Sequence, residues 1–480
     1  MLHKSFCLIF SFVCASFLAN AQASEPSAQP TNIQFNNVKA YGFTMKFNPS
    51  VATGFLVLKS NQNITDVPVD GTMYEKGQGL ATSKVLSVSS ADSFGVREVV
   101  ENTNYYFKVF AYNGTGSNIN YLQSNPLSGS VQSLAANAGN YYFTIDTSAG
   151  PFVDQLHNLI NNHTFISYSP GYRTTILPTI YERDTIGGNA VINCEYSEEV
   201  TVYTPPFDFT TVNYSREHVL CKSWMKTYVS YGSGVINYTE GADFFNLLLT
   251  EQNSVNAVRS NYSLGIVTNI TSQYKGTKFG LDSRGKKVFE PRDDKKGDAA
   301  RCMMYEMVAY NGLNGSWALN SLLAEAADQQ QSVLKLWHQQ DPPDKFERTK
   351  NEFIYSIQNN RNPFIDHPDW ADCISFDNLD KTSYCGFMTG IEAETAEENF
   401  QLYPNPNQGI FSMKVNSLRA ETVTIEIWNM LGEKCFQTVA DVHSGINSLL
   451  IHQSNLSKGS YVVRVTPEGK NSFRKMMMVE

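Results

Sequence analysis

The apolar pattern of this chain changes period twice, and that alone limits the folds open to it. Between residues 30 and about 134, apolar side chains recur at every second position in short runs such as "IQFNNVKAYGFTMKF" and "TNYYFKVFAYNG", bounded by Asn and Gly. From about 135 to 372 helical spacing takes over. In "PDKFERTKNEFIYSIQNN", Phe346, Phe353, Ile354 and Ile357 fall at i, i+7, i+8 and i+11, with Pro343 placed to open the first turn. After residue 399 the alternation returns, in "TVTIEIWNMLGEKC" and "GSYVVRVTPEGKNSFRKMMMVE". A strand pattern buries alternate side chains and a helical pattern buries a stripe, so neither segment type can replace the other. The fold class expected is therefore multidomain: an α+β middle flanked by N- and C-terminal all-β sandwiches. At 480 residues the chain also exceeds what a single core usually serves.

The first 23 residues read as a signal peptide. Lys4 supplies the positive start and "SFCLIFSFVCASFL" the apolar run, while "ANAQA" offers cleavage after Ala21 or Ala23. That run is too short to span a bilayer, so no transmembrane segment is expected in the mature protein. Val13 is too large to precede a lipid-anchored Cys14. Six cysteines then remain (Cys194, Cys221, Cys302, Cys373, Cys385 and Cys435), and their fifteen full pairings stay open. No CxxC pair occurs, which leaves zinc-ribbon chemistry little support. The formal charge of −9 argues against coating nucleic acid by bulk electrostatics and leaves room for a local basic cleft. The expected divisions are a β-sandwich over 24–134, a mixed domain over 135–372, an acidic linker over 373–398 and a second sandwich over 399–480.

The two outer segments resemble known modules. "ENTNYYFKVFAYNG" is similar to the penultimate strand of a fibronectin type III domain, although Met45–Phe47 stands where that fold usually carries a core Trp. The resemblance implies a spacer or adhesive module. At the other end, Leu402-Tyr403-Pro404-Asn405-Pro406, the "IWNMLGEKC" hairpin, "LSKGSYVVRV" and Phe473-Arg474-Lys475 resemble the C-terminal sorting domain of the type IX secretion system. This implies the type IX machinery as a partner and a final location that is secreted or attached to the cell surface.

Polar chemistry clusters in the middle. "YSREHVLCKSWM" sets Arg216, Glu217 and His218 side by side; His brings a base with a near-neutral pKa and Glu a hard oxygen donor. Neighbours on a regular strand point to opposite faces, so the pair can share a site only where a strand ends or bulges. In "ADFFNLLLTEQNSVNAVRSNYSLG", Thr250 is expected to cap a short helix that puts Asn256, Arg259 and Ser260 on one face. The Asn256 carbonyl could complement Glu217 on Mg²⁺ or Ca²⁺. Between Lys275 and Arg301, nine cations lie within 27 residues against five carboxylates, Lys295 and Arg301 among them, and this excess suits phosphate contacts. Solvated loops and ordinary surface polar residues remain the plain alternatives for each element.

Together with "FEPRDDKKGDAAR", "WHQQDPPDKFE" and "IQNNRNPFIDHPDW", these segments resemble the endonuclease I family of secreted, nonspecific nucleases, in unbroken order from about Tyr181 to Trp370. The resemblance implies a ββα-metal (His-Me finger) core. In it His218 would be the general base, while Glu217 and Asn256 would hold one Mg²⁺, with Ca²⁺ or Mn²⁺ as alternatives. Arg216 and Arg259 would hold the phosphate, and Arg259, Arg301 and Lys295 would contact nucleic acid. DNA, and RNA with it, would be cut without sequence preference to 5′-phosphate products. The chain departs from the family at Phe245, Lys222 and Lys295, where members carry His, and at Lys226, where they carry Pro. Those departures motivate a different class of reading, a degenerate nuclease kept as a secreted or surface nucleic-acid binder. A purely structural adhesin would leave the middle domain without a role. His367 is a rival base.

Overall fold

The computed structural model describes residues 22–147, 151–227, 239–322, 328–379, 400–417, 420–429, 433–443, 445–467 and 472–480. Most of the expected signal peptide and linker lies outside them. The chain forms two compact units, residues 1–385 and 386–480.

The first unit opens with a β-sandwich. One sheet has the order β1 (Thr31–Asn36), β2 (Phe43–Asn48), β5 (Ser93–Val96). The other runs β4 (Lys84–Ser89), β3 (Gly54–Ser60), β6 (Asn104–Asn113), with β7 (Asn120–Tyr121) and β8 (Leu127–Gln132) also on β6. Alternation does what it predicts on β2: Phe43, Met45 and Phe47 turn inward against Phe55, Val57, Phe107 and Val109. Met45 and Phe47 are fully buried there, and the Phe47 ring meets that of Phe55 at 5.2 Å. The back of the second sheet is buried too, under Ile64 and Tyr74.

Polar contacts join this sandwich to the mixed region within the same unit. Arg97 reaches the carbonyl of Pro178 and the carboxylates of Glu182 and Asp184, each within 3.3 Å. Arg348 donates to Glu101 at 2.9 Å, the Glu101 amide donates to the Thr349 hydroxyl at 2.8 Å, and the Tyr41 ring meets Phe353 at 5.1 Å.

The mixed region is built around helices α1 (Phe152–Ile160), α2 (Tyr168–Thr174), α3 (Lys296–Ala309), α4 (Gln331–Gln340) and α5 (Lys345–Gln358). Every residue of α3 after Lys296 is buried, so this helix is the hub of the core rather than a surface helix with one wet face. Its charged residues Asp298, Arg301 and Glu306 are therefore inside. Helix α5 starts two residues later than Pro343 in the first helical position would put it. Asp344 is its N-cap, accepting from the Glu347 amide at 2.7 Å. Three small sheets lie around the helices: β11 (Val200–Tyr203), β10 (Ala190–Asn193), β9 (Arg183–Asp184); the pair β12 (Tyr214–His218), β13 (Leu247–Glu251); and β14 (Ser263–Leu264), β17 (Lys287–Glu290), β16 (Thr277–Leu281), β15 (Asn269–Tyr274).

The second unit is a sandwich of its own. A sheet of β18 (Phe400–Tyr403), β19 (Ile410–Ser417) and β22 (Gly445–His452) shares a core with β21 (Lys434–Val442), β20 (Glu421–Asn429), β23 (Gly459–Pro467) and β24 (Phe473–Val479). The "YPNPN" motif has a structural task here. The Asn405 side chain bonds Met476 and Met478, and Asn407 exchanges backbone bonds with Met478 and Glu480, which ties down the last strand. Among the described residues no helix is long and apolar enough to cross a membrane.

Candidate active site

Strands β12 and β13 pair antiparallel without a bulge, from Tyr214 opposite Glu251 to His218 opposite Leu247. The strand ends at His218, and the end is clamped. The Val219 amide donates to the Asn246 carbonyl at 3.1 Å. The buried Asn246 side chain accepts from the Leu220 amide at 2.7 Å and donates to its carbonyl at 3.1 Å. An amide side chain thus adds one more rung where the ladder would stop.

His218 is 7% exposed, and its Nε2 lies 2.8 Å from the Gly241 carbonyl. A carbonyl can only accept, so Nε2 carries the proton and Nδ1 keeps the lone pair. Burial pushes the imidazole pKa down to about 3, with Lys222 and Arg216 pushing the same way, so the ring is neutral at physiological pH.

Glu217, 4% exposed, has different partners from His218, as a regular strand requires. Its Oε1 lies 3.1 Å from Arg259 Nε, yet the two close as charges without an aligned hydrogen bond, and both atoms are buried and unpaired. Burial raises the Glu217 carboxyl to about 7 against the pull of Arg259. Nearby, the Tyr196 hydroxyl and the Trp224 indole N–H, beside Arg259, are buried without partners as well. A dry carboxylate oxygen with no donor is the kind of group a hard cation completes.

Asn256 ends the helical turn Gln252–Asn256, which follows β13 directly and packs against β12. It is half-buried and its side chain caps nothing. Thr250, expected to cap this turn, is instead an inward residue of β13 with an unpaired hydroxyl, because the strand runs on to Glu251. Mg²⁺ usually keeps several waters and takes one or two carboxylates. Among the described residues no group of three or more His, Cys, Asp and Glu converges on a metal position.

Three cations expected at nucleic acid are enclosed instead. Arg259 has no exposed surface; beyond Glu217 it donates to the carbonyls of Val219 at 2.7 Å and Ser260 at 3.2 Å and touches Cys221 Sγ. It binds the strand end to Glu217 and is not a surface contact. Arg301, also fully buried, reaches Glu347 at 2.7 Å and Asp298 at 3.2 Å, and Lys295 meets Asp298 at 2.6 Å. Both lie in α3 and the turn before it, where the hub position of the helix takes them out of solvent. Arg216 is the exception. It is half-buried beside His218, with its guanidinium against the rings of Phe209 at 3.8 Å and Tyr168 at 4.1 Å.

The remaining positions sort by environment. Phe245 is core, its ring 4.8 Å from Tyr305; Lys222 is exposed; Lys226 bonds the Ser321 carbonyl. His367 stacks on Trp370 at 4.1 Å with Tyr142 edge-on, a packing role away from β12. Of the cysteines, Cys373 is disulfide-bonded and Cys194, Cys221, Cys302 and Cys435 are free thiols. Sequence patterns missed Asn246, Gly241 and Tyr168. The first followed a motif position that attracted attention only for Phe245, and the other two carry no periodic or motif signal.

Residues 151–369 match the Endonuclease I family, and residues 401–480 match the Secretion system C-terminal sorting domain. The extracellular ribonuclease of Bacillus subtilis (strain 168) is 33% identical over 271 residues, 52% of this chain and 86% of that protein. The extracellular ribonuclease of Bacillus amyloliquefaciens is 31% identical over 278 residues, 56% of this chain and 89% of that protein. The periplasmic deoxyribonuclease of Aeromonas hydrophila is 30% identical over 134 residues, covering 28% of this chain and 51% of that protein.

Proposed function

The chain belongs to the Endonuclease I family and is a secreted nuclease with a sorting domain over residues 401–480, and from that premise we propose how it cuts. Strands β12 and β13 with the following helical turn act as a ββα-metal core. His218 is the general base, through Nδ1. Glu217 and Asn256 hold one Mg²⁺, with Ca²⁺ or Mn²⁺ able to substitute. Arg216 contacts the phosphate, and Arg259 positions Glu217. The observation that carries this reading is the 2.8 Å bond from Nε2 to Gly241, which leaves a bare nitrogen on a neutral imidazole at a strand end.

The bound cation would neutralise charge on the phosphate and on the departing 3′ oxygen. The side chains do the rest. His218 Nδ1 takes the proton of a water attacking phosphorus in line, and the Gly241 carbonyl keeps its bond to Nε2–H as the ring becomes charged. A pKa of about 3 makes a feeble base in the free protein. The incoming phosphodiester brings negative charge beside the ring and raises its basicity when it is needed. The 3′ oxygen departs with a proton taken from solvent water, giving a 3′-hydroxyl and a 5′-phosphate end. Contacts to backbone phosphate carry no base information, so sequence preference is weak. Relatives named as ribonucleases and as a deoxyribonuclease support activity on both RNA and DNA.

The test is plasmid and oligonucleotide cleavage by the full chain with Mg²⁺, with and without EDTA. His218→Ala should lower the rate about 10²–10⁴-fold with substrate binding nearly intact. Products should be ligatable without kinase treatment. Wild-type rates from His218→Ala, or undiminished cleavage in EDTA, would defeat the proposal.

A further inference from the structure

Tyr168 is the first residue of α2, far from β12 in sequence. Its helix is anchored by Ser167, whose hydroxyl accepts from the Gly171 amide at 3.2 Å. From this fixed turn the Tyr168 ring reaches two groups of the site. It lies 5.2 Å from the His218 imidazole, inclined at 31°, and 4.1 Å from the Arg216 guanidinium. Phe209 meets the same guanidinium at 3.8 Å, and Ser169 accepts from Arg216 Nη1 at 3.3 Å. Arg216 Nε is buried with no partner. Residues 216 and 218 share a face of a regular strand, which is why one ring can touch both.

Each of those two groups is otherwise short of constraints. The bond from Nε2 to Gly241 pins one atom of the imidazole but not its plane, and the terminal torsion of His is intrinsically broad. The guanidinium has five donors, with a long bond to Ser169 and the Tyr168 hydroxyl nearby, and its Nε is buried without a partner. A ring packed on both supplies the missing restraint. Cation–π contact favours a guanidinium laid flat on the ring, which leaves the N–H edge, rather than the face, for an anion.

We propose that Tyr168 is a positioning residue of the nuclease reaction, holding the His218 imidazole and the Arg216 guanidinium in one fixed relation so that base and cation meet the same phosphodiester. This rests on His218 being the base. The ring packs on both groups, while the hydroxyl interacts with Arg216 alone, so the restraint common to the two is the ring.

The experiment uses the full chain with Mg²⁺ and a defined oligonucleotide duplex, with thermal unfolding of each variant recorded alongside. Tyr168→Leu should lower kcat about 10²-fold, the scale of a small misplacement of a reacting group, while KM moves less than about threefold. Tyr168→Phe should recover kcat to within about threefold of the wild type. In a His218→Ala background, Tyr168→Leu should cost little more, since its effect runs through the imidazole. If Tyr168→Leu does not fold, Tyr168→Met, which keeps the bulk, is held to the same criteria. A folded Tyr168→Leu at the wild-type kcat overturns the proposal. So does a Tyr168→Phe as slow as Tyr168→Leu, or a full additional loss in the His218→Ala background. A slow His218→Ala beside a fast Tyr168→Leu would sink this inference alone; a fast His218→Ala would remove its premise as well.

Discussion

Asp298 and Glu217 are both carboxylates closed off from water, 6% and 4% exposed, and both face buried cations, yet burial wins at one and loses at the other. Asp298 sits between Lys295 Nζ at 2.6 Å and Arg301 Nη2 at 3.2 Å. Desolvation pushes its carboxyl up, but the two cations overcome it and hold the pKa below the usual value. Arg301 is satisfied further by Glu347 and the Asp341 carbonyl. Glu217 has one cation, at 3.1 Å and out of line, and its pKa rises to about 7. The Asp298 carboxylate is balanced by its two cations as it stands. Glu217 is short of one positive charge, which is the condition expected of a pocket that something else fills.

Removing each carboxylate is the strongest way to break that contrast. Asp298→Ala leaves Lys295 and Arg301 with too little counter-charge and should cost about 3–5 kcal/mol of stability, read by urea unfolding. Glu217→Gln imitates the protonated acid already half populated near pH 7, so it should cost less than about 1 kcal/mol. Its cleavage rate, however, should fall at least about 10²-fold and no longer respond to added Mg²⁺. A Glu217→Gln that loses as much stability as Asp298→Ala would mean that both sites are structural.

Acid and base should then pull the two sites in opposite directions. With EDTA present, a folded-state pKa of about 7 for Glu217 against 4.5 unfolded means that the native state holds the extra proton across that window. Its contribution is complete below pH 4.5 and is lost as pH rises through 7, about 3 kcal/mol at most. Asp298 has the reverse sign. Its depressed pKa contributes stability above 3.8 that is lost as pH falls through the folded value. Unfolding midpoints from pH 3 to 8 should show both limbs, and Glu217→Gln should flatten the neutral limb only. A neutral limb that survives in Glu217→Gln belongs to another group.

How much of this could be read from residues alone follows the same division. The period changes were enough for the three layers of architecture, since alternation and helical stripes are local properties. The order of the motifs singles out Glu217, His218 and Asn256, which the fold places on β12 and on the turn after β13. Arg259, Arg301 and Lys295, expected at nucleic acid, are buried. Charge pattern says nothing of depth, and α3 is buried on all sides only because neighbours from distant segments surround it. Tyr168 and Gly241 enter through tertiary packing, which no window of sequence contains. Thr250 shows the boundary problem in miniature: a hydroxyl before a helical turn looks like a cap until the strand is seen to run one residue further.

The smallest expected effect concerns the N-terminal sandwich. Its place in the same unit as the catalytic region rests partly on Arg348, whose Nε donates to Glu101 at 2.9 Å from the residue after Glu347 in α5. Arg348 is about one-third exposed, with its side chain at 36%, so solvent screens the pair. Arg348→Ala should therefore cost only about 1 kcal/mol. The Glu101 amide keeps its bond to Thr349, and α5 keeps its cap from Asp344. Among the described residues, the side-chain hydrogen bonds of Arg348 and Glu101 go to one another, Ala136 and Pro343, so kcat should stay at the wild-type value when measured well below the unfolding temperature. An Arg348→Ala enzyme that is folded but slow would show that the sandwich acts on the site through α5 and the buried charges around Arg301.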